Sequence, residues 1–134
     1  MIRFEFNKQK ERLDLRASLK KLEKIISKEF KKSGLISVAF VDKKTIKALN
    51  RHYRAKDKTT DILTFVLNEN DYLGEILLSY KDIEKRSLLT QKTPKETAIY
   101  LIVHGVCHIF GYTHKKKDDT RKMELKEKEI LKQL

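Results

Sequence analysis

The chain has 134 residues, enough for one domain that buries about two-thirds of the surface exposed by its unfolded form. Its 31 lysines and arginines against 19 acids give a formal charge of +12, which suits a polyanion such as RNA, although many of the lysines are scattered among glutamates on helices and serve equally as solvated faces. One cysteine excludes an intramolecular disulfide, the start Met1-Ile2-Arg3-Phe4-Glu5-Phe6 lacks a secretory apolar run, and the longest uncharged apolar stretch, within residues 98–110, is too short to span a bilayer, so a cytoplasmic protein with no membrane partner is expected.

No Pro-, Gly- or Ser-rich linker, internal repeat or low-complexity tract divides the sequence, and residues 1–134 are expected to form one unit. Residues 2–6 read as a short strand, and Leu15, Leu19, Leu22, Ile26 and Phe30 make an apolar stripe on a long first helix that stops before Gly34. Leu35 to Val41 is a strand. Asp42 can cap a helix carrying Ile46 and Leu49, which leads into a basic loop from Arg51 to Lys58. Asp61-Ile62-Leu63-Thr64-Phe65-Val66 and Leu73-Gly74-Glu75-Ile76-Leu77-Leu78 are strands, paired antiparallel through the polar turn Asn68-Glu69-Asn70-Asp71. Ser79 can cap a short helix reaching Leu89. Thr93-Pro94-Lys95-Glu96 then supplies an N-cap, a proline at the first helical position and a glutamate at the third, the strongest helix start in the chain. After a loop from Lys115 to Asp119, Met123, Glu127 and Ile130 to Leu134 fit a final amphipathic helix. The order implies an α+β domain in which helices pack on a small mixed sheet.

The helix that starts at Pro94 carries most of the chemistry. It is apolar nearly all round, as a buried helix must be, yet it leads into the run His104-Gly105-Val106-Cys107-His108-Ile109-Phe110-Gly111-Tyr112-Thr113-His114, which holds three of the chain's four histidines. Four helical positions advance the chain by just over one turn, so His104 and His108 project from one face. Gly111, without a Cβ, can take the left-handed conformation after the C-cap and turn the chain so that His114 approaches the same ion. Three neutral imidazoles with an open fourth position describe a catalytic zinc site, and hydrogen bonds from the other ring nitrogens to carboxylates or carbonyls would fix each tautomer. Nickel or copper could occupy the same donors.

An ion with uncharged ligands keeps its double charge and favours hydrolysis. The spacing also matches the ligand skeleton of metzincin peptidases, but those carry glutamate after the first histidine, where this chain has Gly105; that absence disfavours peptide cleavage and is expected to open room beside the metal for a bulkier substrate. A phosphodiester needs its anionic oxygens neutralised, a task for a metal plus a guanidinium, for which Arg54 is the candidate. Glu75 is either a catalytic or supporting carboxylate or an outward-facing strand residue, and Asp61 either a supporting partner or a strand cap. Cys107 reads as a small core residue beside the metal face, and His52 as a solvent-facing imidazole in the basic loop.

At Leu49-Asn50-Arg51, Tyr53-Arg54-x-Lys56-Asp57, Thr60-Asp61-Ile62-Leu63-Thr64-Phe65, Leu73-Gly74-Glu75-Ile76 and the histidine run, the chain resembles the YbeY endoribonucleases, also described as rRNA maturation factors. The resemblance implies a zincin-like fold of about four strands and five helices, with a metal held by His104, His108 and His114 on a central buried helix. It implies single-strand-specific RNA cleavage in ribosomal RNA maturation and ribosome quality control, an important arginine at Arg54 and an acid at Glu75. The same resemblance implies ribosomal RNA or ribosomal particles as partners, with a ribosomal protein or an assembly GTPase beside them. Arg51, Arg54, Lys56, Lys115 and Lys116 would contact the RNA. Thr59, Glu75 and Thr113 stand where the family usually has Pro, Asp and Asp, and none of these departures removes a metal ligand. An RNA-binding factor with a mainly structural metal is the alternative from another class, with a metallopeptidase behind it.

Overall fold

In the computed structural model of this chain, alternation places Ile2, Phe4 and Phe6 of strand β1 (Ile2–Asn7) against the core while Arg3, Glu5 and Asn7 face outward. The structure describes residues 1–7, 13–54 and 61–134, with the backbone alone at 53 and 54. After β1 come α1 (Arg16–Phe30), β2 (Gly34–Val41), α2 (Lys43–Arg54), β3 (Ile62–Glu69), β4 (Tyr72–Ser79), α3 (Tyr80–Thr90), α4 (Pro94–Ile109) and α5 (Lys117–Leu131). The strands form one mixed sheet in the order β1-β2-β4-β3, with β1, β2 and β4 parallel and β3 antiparallel to β4 at the edge. This is the α+β architecture expected from the sequence.

Sheet parity sorts the core. Ile36, Val38, Phe40, Ile76 and Leu78 face the side covered by α1, α3, α4 and α5, where the larger cluster includes Leu19, Leu22, Ile83, Val103 and Met123. Ala39, Leu63 and Leu77 face the other side and pack with Ile46 of α2. The hairpin between β3 and β4 is tighter than the four-residue turn expected: Glu69 pairs with Tyr72, and only Asn70 and Asp71 intervene, both with positive φ (45° and 67°). That pair of left-handed residues matches the right-handed twist of the strands, and Asn and Asp tolerate it.

Two helix boundaries also differ from the expectation. Asp42 caps α2 as anticipated, its Oδ1 accepting from the Thr45 amide at 2.7 Å, but the helix runs on through Arg54 because no glycine or proline interrupts Lys43–Arg54. Arg51 and His52 are therefore helical rather than part of a loop, and both are exposed. Helix α5 begins at Lys117, two residues before the expected loop ends, with Asp118 and Asp119 in a first turn that favours negative charge. The ends of α1 and α5 are clasped by Glu29, which accepts from Lys126 Nζ and Gln133 Nε2, each at 3.1 Å. Phe30 at the close of α1 stacks on Phe110 at 4.1 Å between centroids and steadies the exit of α4. No helix of the described residues is long and apolar enough to cross a membrane.

Candidate metal centre

Helix α4 starts as its sequence dictates: Thr93 Oγ1 accepts from the Glu96 amide and Glu96 Oε1 from the Thr93 amide, both at 3.1 Å, with Pro94 following the cap. The helix lies along the sheet at close range. A Cβ on Gly105 would sit 2.9 Å from Ile76 Cδ1 and 3.0 Å from Thr64 Oγ1, so the missing side chain lets α4 approach β3 and β4. Gly105 does not open room for substrate, as the sequence suggested, because Ile76 and Thr64 fill that space.

At its other end α4 closes in a Schellman motif. The Tyr112 amide donates to Cys107 O and the Gly111 amide to His108 O, each at 3.0 Å, and Gly111 takes φ +98°. The turn does two things for the site. It reverses the chain so that His114 returns toward the helix, and it places Tyr112 O to accept from His108 Nδ1 at 3.0 Å. His104 Nδ1 meets Glu127 Oε2 of α5 at 2.5 Å. With Nδ1 of each ring engaged on an acceptor, the two Nε2 atoms turn toward each other and lie 3.2 Å apart. That arrangement places the two nitrogens to share one cation.

The donors fit one. Zinc–nitrogen bonds of the usual length at a tetrahedral angle separate two ligand nitrogens by about 3.4 Å, close to the spacing of His104 and His108. One ring nitrogen from each of His104, His108 and His114 lies within 4.8 Å of the others, so the three could hold a metal ion. Among the described residues His114 has no acceptor for its second ring nitrogen comparable to Glu127 or Tyr112 O, and Thr113 stands beside it.

The cluster opens into a cavity of about 260 Å³ whose walls include Asp61, Thr64, Arg86 and Tyr100. Arg86 Nη1 donates to Asp61 Oδ2 at 2.6 Å, and the guanidinium lies 5.6 Å from the centre of the Tyr100 ring. Burial, with the charge of Glu127 next in importance, raises the Tyr100 hydroxyl above its ordinary value. Cys107, fully buried, has its thiol pushed up to about 12 by desolvation and remains a protonated core residue.

The other residues singled out in the sequence are placed unevenly. Lys115 and Lys116 follow His114 directly and are exposed. Arg51 is exposed on α2, which packs on the sheet face opposite α4. The Arg54 side chain and Lys56 lie outside the described residues. The structure does not bring Glu75 to the histidines: Gly74 and Ile76 face α4, so Glu75 lies on the α2 side, paired across strands with Phe65 and Ser37. Sequence reasoning overlooked Glu127, Arg86 and Tyr100 as site residues. A signal existed for Glu127, an acid inside the apolar stripe of Met123 and Ile130; spacing offered none for Arg86, which reaches Asp61 from a separate element.

The family described as Endoribonuclease YbeY matches residues 3–134. The Endoribonuclease YbeY of Buchnera aphidicola subsp. Schizaphis graminum is 38% identical over 115 residues, covering 82% of this chain and 72% of that protein. That of Neorickettsia sennetsu is 33% identical over 125 residues, covering 87% of each. The solution structure of TM1509 from Thermotoga maritima superposes with a TM-score of 0.71 at 30% identity, covering 99% of this chain and 88% of that one. A match of this extent, over a fold that converges three histidines, leaves one conclusion: the chain belongs to the YbeY endoribonuclease family.

Proposed function

We propose that this protein is a metal-dependent endoribonuclease that cuts single-stranded RNA, acting in ribosomal RNA maturation and ribosome quality control in the cytoplasm, with ribosomal particles, a ribosomal protein and an assembly GTPase as its partners. The observation that carries the reading is the orientation of two imidazoles by Glu127 and Tyr112 O, which aims their Nε2 atoms at one point. His104, His108 and His114 would hold one zinc ion per chain. When bound, such an ion supplies Lewis acidity toward a phosphodiester oxygen and makes a nucleophile available near neutral pH.

The remaining work falls to side chains. Arg54 neutralises and orients the scissile phosphate, a task that suits a forked guanidinium. Lys115 and Lys116 beside His114, with Arg51 and Lys56, draw the strand in by its phosphates. Glu75 is left out of this assignment because strand parity holds it on the far face of the sheet.

The test pairs elemental analysis of the purified protein with cleavage of a single-stranded RNA in the presence and absence of chelator. Cleavage is expected to require the metal and to be abolished in His114→Ala and Arg54→Ala with the circular dichroism spectrum unchanged. Undiminished cutting by metal-free His114→Ala protein would overturn the reading. One observation favours a second reading, an RNA-binding factor whose metal is structural: among the described walls of the cavity the carboxylate, Asp61, is already paired with Arg86, leaving no evident general base. Tight RNA binding without turnover by the metal-loaded protein would select it.

A further inference from the structure

A second, larger cavity of about 770 Å³ adjoins the histidine cavity and shares two wall residues with it, Arg86 and Tyr100. It lies where the loop between α3 and α4 faces the start of α1 and the end of α5. The charge of Arg86 is paired with Asp61, and the rim carries Lys21, Lys92 and Lys95 against the single carboxylate of Glu96. That carboxylate is committed to the Thr93 amide. The floor is apolar, formed in part by Ile99 and Leu134. Tyr100 is 37% exposed at the junction of the two cavities, with the Arg86 guanidinium over its ring.

We infer that this groove is a binding site for the single-stranded RNA that continues beyond the phosphate held at the metal centre. The inference rests on the endoribonuclease reading and extends it to a defined path for the strand. Three features converge on that ligand. Cations spaced along a rim track a phosphodiester backbone. An exposed aromatic ring accepts a base by stacking, whatever its sequence, and the neighbouring guanidinium strengthens the platform. An apolar floor in a cavity of this size shelters a base and its sugar from water. An acidic peptide would use the lysines but leave Tyr100 and the floor without a matching group, so RNA is the occupant the chemistry favours.

Because Arg86 and Tyr100 line both cavities, the nucleotide adjoining the scissile phosphate passes beside them. The strand is thereby gripped on one side of the cut by the groove and at the cut by the metal centre. Oligonucleotides too short to reach the groove should bind weakly even when they contain a cleavable bond.

The test measures binding by fluorescence anisotropy, using the metal-loaded protein and a single-stranded RNA of about eight nucleotides whose integrity is checked on a gel after each titration, beside a dinucleotide that fills the metal cavity alone. Lys92→Gln/Lys95→Gln is expected to weaken the longer ligand severalfold, lower its log–log salt slope by about 0.7 per lost phosphate contact and leave the dinucleotide unchanged. Tyr100→Ala should weaken the longer ligand about tenfold and Tyr100→Phe restore it. Lys44→Gln/Lys47→Gln on α2, with the same change in net charge, should have no effect. Equal binding of the longer strand by wild type and all groove variants overturns the inference, as does an equal loss in the α2 variant or a failure of wild type to bind the strand. Groove-dependent binding without cleavage of ordinary RNA would instead sink the endoribonuclease reading and leave the groove assignment standing.

Discussion

A carboxylate inside an apolar helix stripe is costly unless a polar partner meets it, and Glu127, with a side chain only 5% exposed, meets His104. Its role is to hold an imidazole in one tautomer and one orientation. Glu127→Gln keeps the shape but accepts more weakly, and metal affinity should fall roughly 10- to 100-fold, read by competition with a chromophoric chelator; an unchanged affinity would show that the carboxylate orients nothing. His114 is the converse case, a candidate ligand whose second ring nitrogen has no such partner among the described residues. Thr113→Asp offers it a neighbouring acceptor. That variant should bind the metal more tightly, by up to about tenfold, in the same competition assay, and a loss of affinity would mean that the new charge disturbs the turn.

Among the elements, α4 was the most legible in the sequence because each of its devices is local: Thr93 and Glu96 close its start, and Gly111 marks its end. The three histidines that could hold a metal ion come together for the same local reason, since they lie on one helix and the turn that follows it. What could not be read depended on pairing between distant segments. The strand order β1-β2-β4-β3, the parity that turns Glu75 away and the reach of Arg86 to Asp61 are all set by tertiary packing. Gly74 records that packing: a Cβ there would lie 2.7 Å from both Phe65 O and Ile109 Cδ1. Because one of those atoms is backbone, Gly74→Ala should cost about 1–3 kcal/mol in urea unfolding, and an unaltered midpoint would contradict the close contact between α4 and β4. The clasp between α1 and α5 has a pH signature. The Glu29 carboxyl is held below its ordinary value of 4.5, first by the hydrogen bond from Lys126 and then by that from Gln133. A depressed acid stabilises the fold above its unfolded pKa and loses that contribution as pH falls through the folded one. Glu29→Gln should therefore flatten the acid limb of a melting-temperature profile, and an acid limb identical to wild type would show that the clasp contributes nothing.

At the scale of the whole molecule, the charge of +12 becomes informative only through its distribution, with lysines following His114 and others rimming the adjoining groove. Uniform positive charge would attract any polyanion, whereas a strand fixed at both places should make affinity fall steeply with salt and depend on ligand length. The fold also divides the labour of the histidine centre between two parts of the chain: residues 104–114 donate the nitrogens, and α5 contributes the carboxylate that sets one of them. An ion bound by the three histidines would consequently be coupled to the seating of the last helix through the contact of His104 with Glu127. Removing a bound metal ion should lower the melting temperature, and hydrogen exchange should quicken in α5 as well as around the imidazoles, making the C-terminal segment a reporter of occupancy.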